Sequence, residues 1–416
     1  MARLPPALQL REFRLVWFAM LSGSFATQMV AVAVGWQVYS LHHRPLDLGL
    51  IGLAEFLPLP LLALPAGALA DRFSRRLIFA ISVLIELAVA VLLLVVSATG
   101  VHALWPYLAL AVLTGIAGAI GSPAARAIPP SLVPTEHLAS AMALRSVASQ
   151  IAVVTGPAVG GLLFVLSSQV VYGVAAALFG AAFLCVVSLR QPGFAVAETD
   201  VGAPAPRLAA LLGGIRLIRR TPMLLGAITL DVFAVLFGGA VALLPVFAQS
   251  VLHTGPIGLG ILRSAPAVGA LTAAAILTRR PLGRHAGRTL LFVVGVFGVS
   301  IVVFGLSHSF LLSLVALAVS GFADMISVNI RATTVALVTP DELRGRVTAV
   351  EMVFISASNE LGAFESGLAA SLVGTVPAVV AGGAATIILA PIWPKLFPSV
   401  AKIDRMEDLR PVTAQP

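Results

Sequence analysis

Long apolar runs separated by short polar knots set the rhythm of this chain. Runs such as 77–100 and 290–306 approach or exceed the ~18–20 apolar residues with which a helix crosses a bilayer. A membrane barrel would instead alternate polarity at every second residue, so the pattern predicts a bundle of transmembrane helices. Twelve spans are expected, over 14–41, 47–70, 77–99, 104–127, 140–166, 170–190, 222–251, 256–278, 289–307, 310–333, 346–373 and 375–397. The basic start 1–14 resembles a cleaved leader. The apolar stretch 15–41 behind it exceeds the ~7–15 residues of a leader's apolar core, so it reads as a retained first span.

Composition sharpens this picture. The 416 residues are 59% hydrophobic and 11% charged, whereas a soluble domain carries roughly 25% charged residues. The net charge of +8 is distributed as membrane orientation requires. Connections on one side hold Arg72, Arg75, Arg76, Arg126, Arg145, Arg190, Arg207, Arg216, Arg219, Arg220, Arg279, Arg280, Arg284, Arg288, Arg331, Arg344 and Arg346, joined by the basic residues of both termini, while the other side offers only Arg44. Arginine marks the cytoplasmic face, so both termini are expected in the cytoplasm and the span count must be even. No basic recognition helix or aromatic RNA-binding motif appears, which excludes nucleic acid as partner. A lone Cys185 rules out an internal disulfide or cysteine metal cluster, and no metal or cofactor is expected.

The longest interruption divides the spans six and six. The expected parts are an N-terminal bundle 1–190, a cytoplasmic linker 191–221, a C-terminal bundle 222–397 and a cytoplasmic tail 398–416. Within the linker, 203–206 reads as flexible, and 207–220 as either a basic helix on the membrane surface or the start of span seven. The halves echo one another. Residues 131–138 before span five match 336–343 before span eleven, at an offset of about 205, and basic knots follow spans two and eight. Such duplication is expected of a transporter whose site lies between its halves.

The sharpest motif joins spans two and three: Gly67, Leu69, Asp71, Arg72, Arg75 and Arg76 within 67–76. A glycine there permits close helix packing, an acid can face a helix N-terminus, and the arginines can pair differently in two conformations. The stretch resembles the signature of the major facilitator superfamily, with Ser74 where that family usually has glycine. Gly156, Pro157, Gly160 and Gly161 in span five resemble the helix motif of that superfamily's exporters; a small-residue packing site is the other reading. Segments 258–270 and 340–346 resemble its siderophore-exporter and multidrug-efflux branch. The resemblance implies two pseudo-symmetric six-helix bundles and favours export. The superfamily's drug/proton antiporters often carry an arginine early in span four; 112–115 holds none here, and Arg126 lies near the other end.

An ionisable group within a span costs about 2.5–3.5 kcal/mol on insertion scales and usually lines a cavity. Eight are expected there: Glu55, Glu86, Asp231, Arg263, Asp324, Glu351, Glu360 and Glu365, seven acids against one base. At about 1.5 Å per residue, Asp231 lies roughly 13 Å from one end of span seven and Asp324 about 21 Å from the opposite end of span ten. They could share a level, as coupling or cation-binding acids or as hydrogen-bonded structural ones. Arg263 is expected to pair with Glu360 or Glu365, leaving the other for substrate. Glu55 precedes Pro58 and Pro60, which should bend span two. Outer histidines and the aromatics Trp17, Trp36, Tyr39, Trp105, Tyr107 and Trp393 are read as interfacial anchors.

The expectation is a monomeric secondary transporter of the bacterial inner membrane. It would export a small amphipathic molecule (siderophore, drug or metabolite) by alternating access, most simply against protons. Uptake by the same fold is the nearest rival. No phosphate-binding loop marks an ATP-driven pump. A membrane enzyme would need a nucleophile–base set, which is missing, and a transport-inactive receptor would usually add a soluble domain.

Overall fold

A computed structural model describes residues 5–62, 73–190, 207–280 and 282–411, and among these every regular element is helical. The long helices are α1 (Arg11–His42), α2 (Pro45–Phe56, extended by a turn to Leu62), α3 (Arg75–Ala98), α4 (Trp105–Ser131), α5 (Leu138–Phe164) and α6 (Ser168–Val187). After the linker helix Arg207–Arg220 come α7 (Pro222–Phe237), α8 (Gly255–Arg279), α9 (Ala286–Leu306), α10 (Phe310–Val338), α11 (Asp341–Val373) and α12 (Thr375–Leu396). Among the described residues, eleven helices are long and apolar enough to cross a membrane, counting α7 with its continuation to Val251. The exception is α11. Its 33 residues are ample, but Glu351, Glu360 and Glu365 interrupt its apolar character.

Two compact units emerge. The first is built from described residues of 1–43, 54–203 and 254–264, the second from those of 44–53, 204–253 and 265–416. Inside the first, α1 packs beside α5 and α6, and α3 beside α4 and α6. Inside the second, α9 packs between α12 and α10, and α7 packs on α11. The duplication is visible in detail: His43 closes α1 and His253 closes the seventh span, each in the left-handed conformation.

One element differs from the sequence reading, and a second is decided between two readings. Span seven is not one helix. Gly238 ends α7, a 3-10 turn covers Ala240–Leu243, and a single π turn spans Phe247–Val251. Paired glycines followed by Pro245 cannot hold a continuous ladder. The break also permits close packing, since a Cβ on Gly239 would stand 2.8 Å from the Gly362 carbonyl of α11. Of the two readings of 207–220, the separate helix is the one observed: Thr221 is extended before Pro222 opens α7. Ile218 of the linker helix is buried with Leu224, Val335, Val347 and Val350.

Candidate functional site

The second unit holds a narrow, largely apolar crevice between α7, α9 and α10, into which two acids and a serine are set. Asp231 of α7 and Asp324 of α10, the two acids expected at a common depth, both line it, with Phe297 and Ser327. Asp324, Ser327 and Arg331 fall at spacings of three and four, one face of a helix. The Arg331 guanidinium is 2.7 Å from the Asp231 carboxylate, and its Nε donates to the Ser327 hydroxyl at 3.1 Å. Glu351 of α11 lies within electrostatic reach of both Arg331 and Asp231. Three carboxylates therefore share one guanidinium.

Arg331 corrects the sequence reading. It was assigned to a basic connection, but it is 4% exposed inside α10, which runs to Val338. The available signal was its spacing of seven from Asp324, two helical turns along the same face.

The first unit holds a different polar surface. A cavity of about 560 Å³ is lined by Arg126 of α4, Arg145 and Gln150 of α5, and serines 24, 122, 146 and 149. Among the described residues no carboxylate lines it, and the two arginines are close enough to feel each other's charge. Both count with the basic connections in the sequence reading, although the expected spans 104–127 and 140–166 reach them; they sit within α4 and α5. Deeper in this unit, Glu55 stands within electrostatic reach of Arg263 and of Glu86. Helix α2 is interrupted at Leu57, just before Pro58, and here it touches α4: a Cβ on Gly115 would be 2.0 Å from the Glu55 carbonyl.

The other expected site residues are distributed as follows. Glu360 and Glu365 lie on α11; Gly52 leaves room beside the Glu360 carboxylate, and Glu365 is beside the Ser366 hydroxyl. Gly67, Asp71 and Arg72 fall outside the described residues. Arg75 and Arg76 open α3, and Arg76 donates to the Val187 carbonyl at the end of α6. Ser74 is the N-cap of α3, accepting from the Leu77 amide, which gives a physical role to the departure from glycine. In the exporter-like motif, Gly156 and Gly160 face Gln28 and Met29 of α1. Gly161 turns elsewhere: a Cβ there would be 2.3 Å from the Pro256 carbonyl, and one on Gly260 2.4 Å from the Pro157 carbonyl. Of the expected aromatic anchors Trp105 is largely exposed, whereas Tyr39, Tyr107 and Trp393 are buried. Trp393 spends its N–H on the Gly226 carbonyl at 3.0 Å, a bundle contact and not an interfacial one.

Comparison with known proteins bears on the chain as a whole. A family model described as "Transmembrane secretion effector" (MFS_3) matches residues 4–412. The multidrug efflux pump Tap of Mycolicibacterium fortuitum is 28% identical over 373 residues, covering 86% of this chain and 89% of that protein. The enterobactin exporter EntS of Citrobacter koseri is 27% identical over 395 residues, covering 90% and 89%. Among solved structures, a variant of the nucleoside transporter NupG superposes with a TM-score of 0.73 at 15% identity, covering 93% of this chain and all of that one. A bacterial homologue of the human lysosomal transporter Spinster gives 0.71 at 14% identity, covering 97% and 98%. These two likenesses bear on the fold alone.

Proposed function

Because the chain belongs to the transmembrane secretion effector family of major facilitator secondary transporters, we propose that it exports a small amphipathic organic molecule from the bacterial cytoplasm in exchange for protons. The observation that carries the coupling is the crevice of the second unit. Asp231 is held by Arg331, while Asp324 lies on the same crevice with no guanidinium at ion-pair distance among the described residues. In a low-dielectric span, a surplus of carboxylate over guanidinium is stable only with a proton or cation to offset it. An acid in that position can take a proton from one side and release it to the other, and Arg331 reports the change to Asp231 and Glu351.

Export is supported by the names of the two relatives, an efflux pump and a siderophore exporter, and by the packed glycines 156, 160 and 161. Cargo chemistry is read from the polar cavity of the first unit, whose serines and arginines suit anionic or hydroxyl groups; the crevice of the second unit is too narrow for cargo and is assigned to coupling. Glu55, Arg263, Glu360 and Glu365 complete the proposed binding set, and Gly67, Asp71, Arg72, Arg75 and Arg76 the proposed conformational gate. The remaining elements of the reading are a monomer in the inner membrane, both termini cytoplasmic, and two halves exchanging access across 191–221.

The test uses everted membrane vesicles containing the full chain. An inside-acid gradient should drive uptake of enterobactin or of an efflux-pump dye into them, and collapsing the gradient should abolish it. Gradient-driven movement in the opposite sense would establish the uptake reading instead.

A further inference from the structure

At one end of the first unit a second recess, of about 510 Å³, opens between α3, α4 and α6. Neither cargo nor proton coupling uses it. Its rim carries three arginines, Arg75 and Arg76 at the start of α3 and Arg190 just past α6, while Ile128, Leu132 and Leu189 give it an apolar floor. No carboxylate lines it among the described residues. The near acid, Glu12, is already partnered: it accepts from the Arg190 main-chain N–H at 2.9 Å, and its charge is met by Arg11 at 2.7 Å. The Arg76 guanidinium is anchored across the recess by the Val187 carbonyl, so its charge is held at the rim.

The outer wall is equally specific. Leu77 and Val187, which also line the recess, are 45% and 44% exposed, and Leu184 one turn further along α6 is 66% exposed. A cluster of cations at the end of a span, continuous with an apolar flank that water would not solvate, matches one chemistry: a phosphate diester carrying acyl chains. Basic recesses between span ends hold anionic lipid headgroups for this reason, and guanidinium is the group best suited to a phosphate. A soluble phosphate would meet the arginines but leave the apolar floor and flank unused.

We propose that this recess is a binding site for an anionic phospholipid, its phosphate on Arg75, Arg76 and Arg190 and an acyl chain along Leu77, Leu184 and Val187. The site is independent of cargo and of transport direction. Lipid occupancy there would tie the start of α3, where the conformational gate is proposed, to the composition of the surrounding leaflet.

The experiment is native mass spectrometry of the full chain, extracted in mild detergent and titrated with phosphatidylglycerol or phosphatidylcholine. Wild type should retain phosphatidylglycerol in preference to phosphatidylcholine. The triple variant Arg75→Gln/Arg76→Gln/Arg190→Gln should lose that preference by about ten-fold or more. A charge control, Arg279→Gln/Arg280→Gln, removes exposed cations elsewhere and should keep it. Should the triple variant not survive extraction, Arg190→Glu alone is read the same way, because this exposed position meets Glu12 through its main chain. Equal retention by wild type and variant, or equal loss in the charge control, overturns the proposal. Competition by millimolar inorganic phosphate would also overturn it, in favour of a soluble anion.

Discussion

Arg331 on α10 holds a guanidinium nitrogen 2.7 Å from the Asp231 carboxylate on α7, with the two side chains only 5% and 8% exposed. The pair is unequal in its surroundings. Arg331 has Asp324 and Glu351 in its field as well, whereas Asp231 has one cation at ion-pair distance in this cluster.

Stability should therefore respond asymmetrically to the two partners. Arg331→Leu strands three carboxylates and should cost about 3–5 kcal/mol, the range for breaking a buried pair. Asp231→Asn leaves the guanidinium with two other acids and should cost less. Thermal unfolding of the purified variants checks the order. Equal losses would mean that Asp324 and Glu351 do not share the charge of Arg331.

Transport should separate the two aspartates differently. In Asp324→Asn, gradient-driven accumulation should be lost while cargo exchange without a gradient persists, because the carboxyl that carries the proton is gone and the ion pair is intact. Asp231→Asn should impair both. Vesicle assays run with and without an imposed pH gradient make the distinction. An Asp324→Asn protein that still concentrates cargo against a gradient would remove this acid from coupling.

The boundaries of most spans were legible within a few residues because hydrocarbon demands apolar runs of nearly fixed length. Helix α10 shows where that reasoning stops. The expected span ends at residue 333, so Arg331 falls in its last turn and counts with the basic connection beyond it, but the helix continues to Val338. Its charge is met by an acid some 100 positions away in sequence, and no local pattern records that partner. The break in span seven has a related cause: the apolar neighbours of Gly238, Gly239 and Pro245 keep the whole stretch hydrophobic, and only backbone chemistry marks these three as helix breakers. Asp231 and Asp324 could be placed at one depth by counting residues, since rise per residue is constant. The arginine cavity of the first unit could not, because it depends on which faces of α1, α4 and α5 converge.

Glycines three residues apart on α4 should behave in opposite ways. At Gly115 a Cβ would meet the Glu55 main chain at 2.0 Å, which no rotamer change relieves; at Gly118 nothing lies within 4 Å. Gly115→Ala should lower stability by about 1–3 kcal/mol or more, as overpacking does. Gly118→Ala should be neutral or gain up to about 1 kcal/mol from helix propensity. Melting temperatures of the two single variants decide. Destabilisation by both would place another surface against Gly118.

The C-terminal tail makes a pH-sensitive cap for α9. The Asp404 carboxylate accepts from the His285 main-chain N–H at 2.8 Å, and the Asp404 and Ile403 carbonyls accept from Ala286 and Gly287 at 3.0 and 2.9 Å. These contacts meet the amides that a helix start leaves without partners. The His285 amide first, and the nearby Arg284 guanidinium after it, hold the Asp404 carboxyl below the usual carboxylate range. A carboxyl whose folded value is depressed contributes stability that is fully present above its unfolded value, about 3.9, and is lost as pH falls through the lower folded one. Local protection of residues 285–287 should thus be constant from neutral pH down to about 5 and decline below about 4. Hydrogen–deuterium exchange, corrected for the intrinsic rate at each pH, measures it. Asp404→Ala should exchange faster at neutral pH and lose the acid-dependent step. A step that survives in that variant would assign the sensitivity to another group.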